Sequence, residues 1–569
     1  MSHPVRIVGR LVMPAFWLAL VLLILAPCAA FLALAVSPRL FDQGGQWFTL
    51  SYLRGAFTGT TFVAMTNSIW VSCVAAVFGT VVGGSIAWAV ARTTLPGRRL
   101  VTGSMWLALL LPSWLPSIGW VQLFQADGVM YRMGFDYPGI TNLILGPFGV
   151  VLVLGLRCVP FAYLAITAAL AGLGQEFDDA ARVHGASRLS ALRVVVPIIQ
   201  PAIWAALAIG FAESVSDYGV AATLAYSANF PLATFELFGQ INNFPANFPA
   251  ASALGWLLVA TIALPLALQA RALRGRSYAV LSGRTRQAVR RPLSLGGGTL
   301  AVGGILLFYI LALGVPALGA VSQSLLADFG ASFHLSFANY SQVFHSSTLT
   351  GPLIRSMKYG AITASVTVVG GFIIARLLTK VRTKAVRMLD FLMLAAIALP
   401  SVLFAAGYIF AYNLPFLSSI GINLYQTTTL LIFAYIASSL PLNSRVLVGA
   451  VSQLQPSLTD AARAHGAGPI TAWLRGVFPL MSKPLLVAWL LTFTGVFLEL
   501  PISQLLYAPS QPPLSVAIED NLSNYHFGVG LAQSVVAVAI ALVVVGSVLG
   551  VYRLLAPRGW RRLGEATNR

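Results

Sequence analysis

Glu176–Pro197 reads E-F-D-D-A-A-R-V-H-G-A-S-R-L-S-A-L-R-V-V-V-P, and Ser457–Pro479 reads S-L-T-D-A-A-R-A-H-G-A-G-P-I-T-A-W-L-R-G-V-F-P. Asp179-Ala180-Ala181-Arg182, His184 and Gly185 recur as Asp460-Ala461-Ala462-Arg463, His465 and Gly466. Both are polar islands between long apolar runs. An acid near the start of Asp-Ala-Ala-Arg suits a helix dipole, and the glycine permits a tight turn before the chain turns apolar again. Two such helices at a membrane surface would give a membrane protein two places to grip something soluble. The plainer reading is a pair of amphipathic loops that merely duplicated.

The chain around them has 569 residues, 58% hydrophobic and 9% charged, with mean hydropathy +0.83. A soluble domain carries about 25% charged residues. The composition therefore describes an all-α polytopic membrane protein, with helices as the spanning solution. Apolar runs predict a first span at 11–36, retained rather than cleaved, and a polar outer segment at about 37–66. Further spans are expected near 68–91, 100–125, 143–171, 194–224, 250–270, 298–323, 353–378, 389–412, 427–454, 479–508 and 528–552, about 12 in all. Cys28, Cys73 and Cys158 sit singly in apolar runs and suggest neither metal site nor disulfide.

The net charge of +19 arises from 35 Lys+Arg against 16 Asp+Glu. With the N-terminus inside, the bases gather in the inner loops: Arg92, Arg98 and Arg99; Arg182, Arg188 and Arg193; Arg376, Lys380, Arg382, Lys384 and Arg387; Arg463 and Arg475. That asymmetry obeys the positive-inside rule, places both termini and both Asp-Ala-Ala loops in the cytoplasm, and removes the need for a nucleic-acid partner. Arg271 to Arg291 is basic and free of acids, and reads as a cytoplasmic linker.

The duplication extends beyond the loops. Thr80-Val-Val-Gly-Gly84 recurs as Thr367-Val-Val-Gly-Gly371, and Leu111-Pro112-Ser113 as Leu399-Pro400-Ser401. The expected organisation is a first half at 1–270, the linker at 271–296, a second half at 297–553 and a cytoplasmic tail at 554–569. Both halves start inside, so the repeat is parallel. The pathway is expected between the halves, with Gly83-Gly84 and Gly370-Gly371 allowing close helix approach there.

Ionisable groups inside spans are expensive and hence functional candidates. Glu213 and Asp217 lie four apart on the helix after the first loop, and Glu499 lies on the matching helix of the second half. Measured from Pro201 and Pro484, Asp217 and Glu499 sit at nearly equal depth, ~24 Å into the membrane at ~1.5 Å per residue. Arg157 and Arg445 lie on the helices before the loops. Two readings stay open: the acids, with Tyr218 beside them, line the path or its gate for a hard cation, or the arginines neutralise them structurally.

The D-A-A-x-x-x-G pattern followed by proline resembles the coupling loop of permeases in binding-protein-dependent ATP-binding-cassette importers, with Asp179 and Asp460 where that family usually has Glu. Glu213-Ser-Val-Ser-Asp217-Tyr218-Gly219 and Glu499-Leu500-Pro501 resemble segments of fused ferric-iron permeases. The resemblance implies the type I importer permease fold in a bacterial inner membrane. It also implies that Glu176, Asp179, Ala180, Ala181, Arg182, Gly185, Asp460, Ala461, Ala462, Arg463 and Gly466 dock two copies of a cytoplasmic ATPase. ATP and Mg would then be bound by those subunits and not by this chain, which has no phosphate-binding Gly-rich loop ending in Gly-Lys-Ser/Thr. An extracytoplasmic binding protein would deliver the substrate. Thiamine, polyamine and phosphonate permeases share this architecture. A secondary transporter using Glu213 and Asp217 as proton carriers is the rival class, and it gives no reason for the paired loops.

Overall fold

The computed structural model describes residues 14–173, 188–272, 290, 292–326, 333–397, 399–454 and 457–556. Among these, ten helices are long and apolar enough to cross a membrane, and up to twelve spans result if two bent helix pairs each count as one. The chain is an all-α polytopic membrane protein, as its composition requires. Gly59–Arg92 and Ser347–Lys380 each run 34 residues, or roughly 50 Å, well beyond the ~30 Å hydrocarbon core. The first begins nine residues before the predicted 68, inside the segment expected to be a polar outer stretch.

Four predicted spans are broken. Within 100–125, Arg98–Leu110 and Trp114–Arg132 meet at 89°. The cause is local: Leu111 precedes Pro112 and is pushed into extended backbone, with φ −84° and ψ 125°. The pair Lys384–Ile397 and Ser401–Ala411 bends by 108° around Pro400. Within 194–224 the helix stops at Val215, and within 479–508 it stops at Phe497 before restarting at Pro501.

Two compact units form, one from residues 49–336 and the other from 1–48 together with 337–569. They cut across the halves read at 1–270 and 297–553, because the first span of each half packs in the other half's unit. In the 49–336 unit, Gly59–Arg92, Pro147–Ala171 and Arg188–Val215 pack together, and Ile305 and Phe308 of the Leu295–Tyr309 helix join their core. A Cβ on Gly119 would fall on the Pro316 carbonyl, so these backbones touch. In the other unit, Ser347–Lys380, Thr428–Ser452 and Phe478–Phe497 form the centre, and Ala26–Ala33 packs on Ser401–Ala411. There a Cβ on Gly407 would lie 2.8 Å from the Pro27 carbonyl oxygen. Pro27 has no N–H to offer the carbonyl four residues back. The Tyr408 hydroxyl donates to that orphan, the Leu23 oxygen, at 2.7 Å.

Gly83 and Gly371 do permit close approach, but inside a unit rather than between halves. A Cβ on Gly83 would lie 2.5 Å from the Val159 oxygen, and one on Gly371 3.2 Å from the Ser444 nitrogen.

Candidate functional site

Glu176, Asp179, Ala180, Ala181, Arg182 and Gly185 of the first loop lie outside the described residues. In the second, Ser457–Ala464 is a two-turn helix with Asp460 in its first turn and Arg463 in its last, each charge favourable to the dipole. The helix closes at Gly466, whose φ of +79° strains any residue with a side chain. The Gly466 amide donates to the Arg463 carbonyl at 2.9 Å and the Ala467 amide to the Ala462 carbonyl at 3.1 Å. These are the two bonds of a Schellman closure, and they explain why glycine stands there.

Asp460, Ala461, Arg463 and Gly466 are exposed, and Ala462 is partly so. Beneath them the helix packs on Trp473–Val477. The Trp473 ring meets Phe372 edge-on at 6.1 Å and tilts against Phe478 at 5.5 Å. Lys380 Nζ donates to the Leu454 carbonyl at 3.2 Å. The loop thus presents a polar face while its base is fastened to two core helices.

The intramembrane acids share one structural task. Asp217 stands in the break after Val215, where its Oδ1 accepts from the Val220 amide at 2.7 Å, and the Thr234 hydroxyl donates to its carbonyl at 2.8 Å. Glu499 stands in the break after Phe497. Its Oε1 accepts from the Ile502 amide, and its Oε2 from the Ser503 amide and hydroxyl, all at 2.9 Å. Each carboxylate satisfies the free amides at the start of the next short helix. The equal depth read from sequence is that of two matching helix breaks.

The arginines differ. Arg157 Nε lies 3.3 Å from Asp217 Oδ2, its Nη2 4.0 Å from Glu213 Oε2, and its Nη1 donates to the Leu111 carbonyl at 3.2 Å. One guanidinium therefore ties the right-angle bend at Leu111 to the break at Asp217. The Asp217 side chain is 4% exposed, that of Arg157 28% and that of Glu213 41%, so Glu213 is the most accessible of the trio. A cavity of ≈ 50 Å³ adjoins Arg157, lined also by Leu111, Ser113, Trp120, Val153 and Pro160, with room for a few waters.

Arg445 was expected opposite the intramembrane acids. Instead its Nη2 pairs with Asp390, 2.7 Å from Oδ1 and 2.8 Å from the carbonyl oxygen. Asp390 lies 55 residues away at the inner edge of the predicted 389–412 span, where an acid in an apolar run was the available signal. The Tyr218 ring, next to Asp217 in the chain, is buried, with centroids 5.3 Å from Phe238 and 6.2 Å from Phe235.

Residues 367–561 match the family described as binding-protein-dependent transport system inner membrane component. The chain is similar to the ferric transport system permease protein FbpB of Actinobacillus pleuropneumoniae, 21% identical over 523 residues, covering 90% of this chain and 74% of the relative. It is also similar to the sulfate transport system permease protein CysT of Salmonella typhimurium, 28% identical over 272 residues, 45% of this chain and 92% of that one. The molybdenum transport system permease protein ModB of Escherichia coli is 30% identical over 177 residues, 31% of this chain and 75% of that one.

Proposed function

The chain belongs to the family of binding-protein-dependent transport system inner membrane components, and from that membership we propose that it is the membrane path of an ATP-driven importer of ferric iron. Two cytoplasmic ATPase subunits dock, one beneath each Asp-Ala-Ala loop, and bind the ATP and Mg. A loaded extracytoplasmic binding protein presents the iron on the other side. ATP binding draws the loops together and opens the path outward; hydrolysis resets it. Such alternation needs two states that ATP and the loaded binding protein favour differently.

One observation carries the docking: the Ser457–Ala464 helix turns its Asp460 and Arg463 side to solvent while its base is locked to Trp473. In this reading Glu213, Asp217 and Arg157 form a gate, with Glu213 the exposed carboxylate that meets the cargo.

The charge balance supports a cation over an oxyanion. Two carboxylates face one guanidinium in that trio, and Arg445 is matched by Asp390. Neither arginine offers a surplus positive charge to sulfate, molybdate or a phosphonate. The large relative named for ferric transport also spans nearly all of this chain.

The test is reconstitution of the chain in proteoliposomes with its ATPase and binding protein. ATP-dependent accumulation of ferric iron, absent with sulfate and molybdate, is the expected result. Sulfate or molybdate uptake without iron would overturn the cargo and leave the importer. Uptake driven by an ion gradient through this chain alone would overturn the importer. Asp179→Lys with Asp460→Lys is expected to abolish copurification of the ATPase from a monodisperse membrane protein.

A further inference from the structure

At the end of the Ser347–Lys380 helix the chain turns sharply and re-enters as Lys384–Ile397. A crevice of ≈ 420 Å³ opens at this turn, walled by Leu378, Val381, Val386 and Val448. Arg382 and Arg387 stand on it, both exposed. Neither side chain has a hydrogen-bond or ion-pair partner among the described residues. The one acid in the lining, Asp390, is engaged by Arg445 at 2.7 Å and so does not cancel them. The re-entering helix exposes Met388, Phe391 and Leu394, at 57%, 69% and 51%. Their spacing of three puts them on one face, the pattern of a helix whose side meets hydrocarbon.

We propose that this crevice binds an anionic phospholipid, its phosphate held between Arg382 and Arg387 and the upper part of an acyl chain lying along Leu378, Val381, Val386 and Val448. Charge complementarity selects the headgroup: two unmatched guanidinium groups suit the bidentate geometry of a phosphate diester. The apolar walls select a lipid over an acidic protein segment, which would leave those walls in water. Basic pockets between membrane helices take phospholipid headgroups in this way. The crevice lies beside the helix that carries Val448 and leads to the Ser457–Ala464 loop. A bound lipid would therefore stiffen the ground on which that loop stands.

Native mass spectrometry of the full chain, titrated with dioleoylphosphatidylglycerol or dioleoylphosphatidylcholine, tests this. Phosphatidylglycerol is expected to bind at least tenfold more tightly, with one tight equivalent lost at least tenfold in Arg382→Gln/Arg387→Gln. Val381→Trp fills the mouth and keeps both charges. It is expected to displace the same equivalent, which separates a built site from diffuse attraction to a basic surface. Equal affinity for the two lipids, retention of the tight equivalent in either variant, or displacement of the lipid by millimolar inorganic phosphate would overturn the proposal. So would a charge variant that keeps its lipid and loses its ATPase, since the arginines would then be a protein contact.

Discussion

The two units solve the same packing problem with different chemistry. In the 49–336 unit the seam between Gly59–Arg92 and Pro147–Ala171 is closed by glycine: a Cβ on Gly83 would stand 2.5 Å from the Val159 oxygen and 2.9 Å from the Ala162 Cβ. In the other unit the matching seam is held by a polar link. Asn443 Nδ2 reaches Thr492 Oγ1 at 2.9 Å and Thr367 Oγ1 at 3.2 Å, joining three helices. Charge divides the same way. Arg157, Glu213 and Asp217 gather in the first unit, whereas the positions that match Arg157 and Glu213 in the second are Ser438 and Gly495. A duplicated scaffold has kept its helix breaks, and among the described residues the Arg157–Glu213–Asp217 cluster is not repeated at the matching positions of the second half.

That contrast can be broken by substitution. The largest effect is expected from Gly83→Ala. No side chain can yield, because the obstacle is backbone, so the helices must part and monodisperse protein should be lost on size-exclusion chromatography. Gly371→Ala meets the Ser444 nitrogen at 3.2 Å and should fold, with a melting temperature lower by a few degrees. If the two behave alike, the seams are not different in kind.

Arg157→Met should come next. It strands the buried Asp217 and frees the Leu111 carbonyl, a loss of about 3 kcal/mol by analogy with broken buried pairs. Adding Glu213→Gln and Asp217→Asn should restore much of the melting temperature but not transport. Restored transport would make the trio purely structural. Asn443→Leu should cost about 1–3 kcal/mol, the range for orphaned buried hydroxyls, read as denaturant sensitivity in detergent. The smallest effect is expected from Glu499→Gln. The amide keeps one accepting oxygen and the Ser503 hydroxyl can turn to accept from the new NH2, so only one amide N–H loses its partner and melting should fall less than in Asp217→Asn, which also loses its charge pairing with Arg157. A larger shift in Glu499→Gln would reverse the ranking of the two breaks.

Much of this was legible in the residues. The repeated Asp-Ala-Ala-Arg loops, the span count and the equal depth of Asp217 and Glu499 all follow from pattern and periodicity. What Asp217 and Glu499 do was not legible, because an acid in an apolar run looks the same whether it faces a path or caps a helix. The bend at Leu111 escaped for a similar reason: averaging hydropathy over a span removes the direction of a chain that turns 89°. The exchange of first spans was hidden because hydropathy reports the solvent around a helix and not its neighbours. Arg445 shows the same limit, since its partner Asp390 is set by packing and not by sequence distance.

The exchange has a consequence for how the protein is made. The Leu23 carbonyl receives its bond from Tyr408, 385 residues later. At ribosomal rates of about 5–20 residues per second, the leading span waits roughly 20–80 s in the bilayer before its partner emerges. Through that interval the Leu23 carbonyl, which Pro27 cannot serve, lacks the Tyr408 hydroxyl, and Pro27 lacks its neighbour Gly407. The contact between the Pro14–Ala33 span and Ser401–Ala411 can thus close only after Tyr408 has left the exit tunnel.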